Sequence, residues 1–172
     1  MSRREEFIAA IYSTPWEEYS HAYGVALDVK NNLIRLLSED QKEFEEAEWN
    51  LSSTIYHQGD IFDSTAASIR FLCDLAFEFG KTELIHLLKV IADSSAITSD
   101  DIRLRWKKQF EKWPNFFDES EKDKADEQIR CTVLVHKALL AEAERIQKFV
   151  SVQEGETRDA GQSILRVLKQ ET

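Results

Sequence analysis

Three features of the sequence predict an all-α fold. Apolar residues recur at three- and four-residue steps along nearly the whole chain, the period of amphipathic helices. Only 5 Gly and 2 Pro occur in 172 residues, too few to punctuate a β fold whose tight turns recur every ~8 to 12 residues. Ser, Thr and Asp stand ahead of several periodic stretches as caps. The 42% hydrophobic fraction supplies a core that a disordered acidic tail lacks. A chain of this length buries roughly 70% of its unfolded surface without metal or crosslink, so a single helical domain over residues 1–172 is expected.

A first short helix is expected over residues 2–12, with Phe7, Ile8 and Ile11 on one side. Thr14-Pro15-Trp16-Glu17 reads as a helix start, with Thr as N-cap, Pro in the first turn and Glu closing a capping box. The stripe Trp16, Tyr19, Tyr23, Ala26, Val29, Leu33 and Leu36 carries that helix to about residue 37. Ser38-Glu39-Asp40-Gln41 is a second capping box. It opens a helix that buries Phe44, Ala47, Leu51 and Ile55 and leaves Glu43, Glu45 and Glu46 in water near the positive end of its dipole. Gly59 ends it after His57. Residues 63–79 carry two apolar stripes, one of Ile69, Leu72, Ala76 and Phe79, the other of Ala67, Phe71 and Leu75, and so form a central helix closed by Gly80.

Residues 81–92 turn Leu84, Leu87, Leu88 and Ile91 inward. After the polar loop 93–98, Thr98 or Ser99 caps a helix bearing Ile102, Trp106, Phe110 and Trp113, ended by Pro114. An acidic stretch over 118–127 leads into a long helix to about residue 150, with Ile129, Val133, Leu140, Ala143 and Val150 at helical spacing. Its β-branched run Thr132-Val133-Leu134-Val135 is outvoted by flanks rich in Ala, Glu, Lys and Leu. A break at Glu154-Gly155-Glu156 precedes a last helix over 157–169. That makes about eight helices and no sheet, with short connections setting neighbours antiparallel. A closed bundle and a curved stack of hairpins both satisfy the pattern.

The chain carries 22 Lys and Arg against 32 Asp and Glu, a net charge of −10. Such a field repels phosphate backbones and anionic lipid headgroups, so neither nucleic acid nor membrane is an expected partner. It speeds the approach of a basic protein; acidity for solubility alone is the plainer alternative. No stretch nears the ~20 apolar residues of a membrane span. Met1-Ser2-Arg3-Arg4-Glu5-Glu6 lacks the apolar region of an export signal, so a cytoplasmic location is expected. Cys73 and Cys131 lie far apart within apolar patterns and read as free buried thiols of a reducing compartment.

Two segments carry a resemblance. The first is His21-Ala22-Tyr23-Gly24-Val25-Ala26-Leu27-Asp28-Val29. The second, residues 51–75, contains Ile55-Tyr56-His57-Gln58-Gly59-Asp60-Ile61-Phe62 and then Phe71-Leu72. Together they resemble a signature of bacterial HEAT-like repeat proteins: His-Ala-Tyr-Gly with a following Asp-Val, an apolar residue before His-Gln-Gly, a Thr-Ala pair and Pro-Phe-Leu. The match spans residues 13–90; residues 99–172 are less recognisable. Lys30 and Arg70 stand where the family has Pro, which implies straighter helices. The resemblance implies a short HEAT-like α-solenoid of stacked antiparallel hairpins, with one surface formed by the second helix of each pair, and it does not imply an enzyme.

The polar constellations fit that reading. His57-Gln58-Gly59-Asp60 either holds a hairpin turn, its side chains satisfying the last free carbonyls of a helix, or presents His57 and Asp60 to a partner or to acid/base chemistry. The four His lack the spacing of a helical zinc site, and His136 reads as a core histidine. No phosphate loop or nucleophile elbow occurs, so neither catalytic residue nor metal nor cofactor is assigned. Trp16-Glu17-Glu18-Tyr19 combines aromatic anchors with carboxylates, and Asp63, Arg70, Asp74 and Glu78, mostly acidic, line the outside of the central helix at about one-turn spacing. Glu17, Glu18, Tyr19, Asp60, Asp63, Asp74 and Glu78 are therefore the expected partner-binding residues, with a core stripe and a solvated face as the plainer alternatives. Five rings, Trp106, Phe110, Trp113, Phe116 and Phe117, exceed what one stripe buries and suit a homodimer or partner surface.

The expected function is that of a non-catalytic interaction protein. Within that class the best fit is an immunity protein, of the kind used in contact-dependent growth inhibition, that blocks a basic nuclease-type toxin domain. A generic HEAT-like adaptor or self-associating scaffold is the alternative, and an enzyme using the helical groove a further one.

Overall fold

The computed structural model describes residues 1–113 and 123–169, and the chain is mainly α-helical. Helix α1 (Arg3–Ser13) opens with a reciprocal capping box: the Ser2 hydroxyl accepts from the Glu5 amide while the Glu5 carboxylate accepts from the Ser2 amide. Its Phe7 and Ile11 point into the core.

The helix expected over 15–37 does not form. Trp16–Glu18 makes a single 3-10 turn, Ser20–His21 (β1) pairs antiparallel with Gly24–Val25 (β2), and only Val29–Arg35 is α-helical (α2). Gly24 lies at φ 126°, a conformation a side chain strongly disfavours, and it reverses the chain there. His21 braces the turn: its Nδ1 accepts from the Tyr23 amide at 3.0 Å, so Nε2 carries the proton and donates to Asp28 Oδ1 at 2.7 Å. Trp16, Ala26, Val29, Leu33 and Leu36 are buried as the stripe requires, but Tyr23 is 66% exposed. Apolar spacing identified most of the buried residues there and misassigned the backbone that delivers them.

Helix α3 (Gln41–Ile55) is capped by Asp40, whose Oδ1 accepts from the Glu43 amide at 2.9 Å; Ser38 instead donates its hydroxyl to the Glu43 carboxylate. Tyr56–His57 (β3) and Asp60–Ile61 (β4) then pair across Gln58 (φ 53°) and Gly59 (φ 90°), the two positive dihedrals that tight hairpins favour. No sheet is expected from the sequence, and these two ladders of two residues per strand are too short to form a layer.

Helix α4 (Asp63–Glu78) is central, burying Ile69, Phe71, Leu72, Cys73, Leu75 and Ala76 and packing on α5 (Leu84–Ser95) and α7 (Lys124–Ala141). Between them, α6 (Ser99–Lys112) is capped by Thr98 and buries only Ile102. On α7 the inward residues are Cys131, Thr132, Val135, His136 and Leu139, whereas the expected Val133 and Leu140 are both 46% exposed. The helix has apolar residues on more than one side, and docking on α4 and α5 selects which side is covered. Glu142 interrupts the long helix before α8 (Ala143–Val150), so nine α-helices rather than eight occur among the described residues. Helix α9 (Gly155–Lys169) lies on α5 and α8, close enough that a Cβ on Gly161 would run into Val150 Cγ2. One core runs from Phe7 to Leu168. No described helix is long and apolar enough to cross a membrane. Pro114, Phe116 and Phe117 fall outside the described residues, while Trp113 is 51% exposed.

Candidate partner-binding surface

The acidic side chains divide into two populations. The first includes Asp60, Asp63, Asp74 and Glu78, and the chain's own arginines occupy all four. Asp60 takes Arg105 of α6 at 2.6 Å. Asp63 accepts from the Ser20 amide at 2.7 Å and meets Arg130 of α7 at 3.4 Å. Asp74 and Glu78 clasp Arg145 of α8 at 2.6 and 2.7 Å, with Glu142 at 2.7 Å on the same guanidinium and Arg3 of α1 on Glu78. The strip predicted along α4 therefore ties three other helices, α1, α7 and α8, to the centre of the domain, and Asp60 just ahead of it ties α6. Short, partly desolvated Arg–carboxylate contacts of this kind are stronger than exposed lysine pairs.

The two turns that carry the family resemblance meet in space. The Ala22 amide donates to Thr54 O at 3.1 Å, and the Tyr23 and His57 rings stack edge to face with centroids 5.3 Å apart. His57 Nδ1 donates to Ser53 O at 3.2 Å with the Tyr23 hydroxyl 3.3 Å away. His57 thus satisfies a carbonyl near the end of α3, and Asp60 is held by Arg105. Both side chains have structural partners.

The second population faces solvent without a lysine or arginine in ion-pair contact among the described residues. Glu17 and Glu18 project from the 3-10 turn, whereas Tyr19 is half-buried against Trp16 at 6.0 Å between ring centroids. On α3 the inward set Phe44, Ala47, Leu51 and Ile55 turns Glu45, Glu48, Trp49 and Ser52 outward or sideways, and Tyr56 of β3 follows half-buried. These face His86, Leu87 and Val90 of α5 across a groove of about 360 Å³. Sequence reasoning placed Glu45 in water and Leu87 inward, and passed over the rest of the groove. The available signal was Trp49, a tryptophan off the apolar stripe of its own helix.

Burial, then the charges of Glu83 and Glu45, push the Glu48 carboxyl above its ordinary value of 4.5, with His86 pulling the other way. A raised carboxyl holds its proton to higher pH folded than unfolded. Its contribution favours the fold below about 4.5 and is lost as pH rises through the folded value. Glu48→Gln is therefore expected to raise stability at pH 7 by under about 1 kcal/mol, and to leave it unchanged at pH 4. Urea titrations at both pH values measure the difference; equal midpoints for the two chains at pH 7 contradict the crowding of these carboxylates.

Cys73 and Cys131 are free and buried. Burial, then Glu127, pushes the Cys131 thiol up to about 12, and burial, then Glu142, likewise raises Cys73. Neither is a thiolate at neutral pH. Among the described residues no group of three or more His, Cys, Asp or Glu is placed to hold a metal ion. No protein-family model, curated protein or solved structure matches this chain.

Proposed function

We propose that this chain is a non-catalytic binding scaffold, a short HEAT-like stack of helical hairpins. In our reading it is an immunity protein that seats a basic, nuclease-type toxin domain and blocks it by occlusion. The reading is carried by the division of carboxylates. Arg105, Arg130 and Arg145 are drawn to Asp60, Asp63, Asp74 and Glu78, while Glu17, Glu18 and Glu45 stay exposed and Glu48 half-buried, open to a partner. Those carboxylates would take the place of phosphates on the lysines and arginines of the toxin.

Co-production with the product of the neighbouring open reading frame tests the reading. Survival of cells that otherwise die, with a stoichiometric complex, is the expected outcome. Association should slow about tenfold or more between ~0.02 and ~0.2 M salt. A rate that ignores salt, or toxicity that persists despite full production of the chain, overturns it.

A further inference from the structure

Leaving an indole in water forgoes the burial that makes tryptophan a favourable core residue, so an exposed one beside a groove marks a surface with something to cover it. Trp49 is 74% exposed, and the groove next to it has an aromatic wall, an apolar floor and an acidic rim. Tyr56 adds a second ring, Leu87 and Val90 add aliphatic surface, and Glu45 and Glu48 bring the charge. Among the described residues no lysine or arginine lines the groove, Lys89 of α5 being engaged by Asp93 at 2.6 Å, and His86 stands on the α5 side opposite the carboxylates.

We infer that this groove seats one arginine side chain of the basic partner, its guanidinium against the Trp49 indole and Glu48, its aliphatic stem along Leu87 and Val90. The inference rests on the reading above that the partner is basic. A metal ion does not fit, because among the described residues no three His, Cys, Asp or Glu are placed to hold one. An anionic lipid or nucleic acid is repelled by the rim and by the net charge of −10. Arginine suits the site better than lysine. Its planar, weakly hydrated guanidinium stacks on an indole while its edge donates to a carboxylate, whereas an ammonium keeps a tight hydration shell.

The test uses hexa-arginine peptide titrated into the full, isotope-labelled chain, with the Trp49 indole N–H identified by its loss in Trp49→Phe. A saturable shift of that resonance is expected. Affinity should fall at least about fivefold in Trp49→Ala and in Glu48→Gln, and hexa-lysine should bind at least about threefold more weakly than hexa-arginine. Circular dichroism confirms that both variants remain helical. Binding that leaves the Trp49 resonance unmoved, variants that bind like the parent, or equal affinity for hexa-lysine each overturn the arginine seat. Absence of binding overturns it as well. The basic-partner reading survives all four results, because it stands or falls on a salt-dependent complex with the product of the neighbouring open reading frame.

Discussion

Replacing Trp16 by alanine is expected to lower the unfolding free energy by about 4 kcal/mol, within the ~3 to 5 kcal/mol range for emptying a buried tryptophan site. Trp16 is only 1% exposed and sits between α1 and α4. Its Nε1 donates to Ile11 O at 2.8 Å, and its ring touches Phe71 and Tyr19 with centroids 6.0 Å away in each case. Truncation removes the largest side chain at that junction and one of the two hydrogen bonds to Ile11 O, the Thr14 amide at 3.3 Å keeping the other. Trp16→Phe keeps most of the volume and loses the hydrogen bond, so a smaller drop of ~1 to 3 kcal/mol is expected. Urea unfolding monitored by circular dichroism measures both. The same residue anchors the 3-10 turn that carries Glu17 and Glu18, so the alanine variant should also disturb the acidic surface there. A loss below about 1 kcal/mol for the alanine variant would show that the turn is not held by this ring.

The second large effect is at Arg145. Its guanidinium serves Asp74, Glu78 and Glu142, with Asp74 and Glu142 only 15% and 12% exposed at the side chain, and it lies over the Phe77 ring at 5.6 Å. Removing it leaves three carboxylates facing one another in a partly desolvated cleft. Breaking a fully buried pair costs ~3 to 5 kcal/mol. Arg145 is itself about a third exposed, so roughly 2 to 3 kcal/mol is expected for Arg145→Met. Adding Asp74→Asn should recover part of that loss, because the charge left without a partner is what destabilises. Additive losses in the double variant would show that Arg145 acts through packing on Phe77 rather than through charge.

Much of the helical framework was legible in the sequence. The capping box of Ser2 was not named, but the helix over 2–12, the cap at Thr98, the turn at Gly80 and the central place of α4 follow from periodicity and cap chemistry, and the structure contains each. The segment around His21 was misread because its apolar residues recur at helical spacing while its polar residues close a hairpin. Gly24 and the His21–Asp28 pair outweigh a weak local preference for helix. The carboxylates Asp63, Asp74 and Glu78 on α4 were legible as a row, expected either to meet a partner or to face solvent. The occupation of Asp60 and of that row by Arg105, Arg130 and Arg145 was not readable, since those arginines lie 45 to 71 residues away in sequence.

The sequence by itself determined the fold class, most of the buried residues and the sign of the field the molecule presents, because each depends on residue type and local spacing. Only the tertiary structure decided which carboxylates remain open to a partner and where Trp49 stands. Whether a charge is neutralised depends on what long-range packing brings within about 4 Å, and local spacing does not contain that distance.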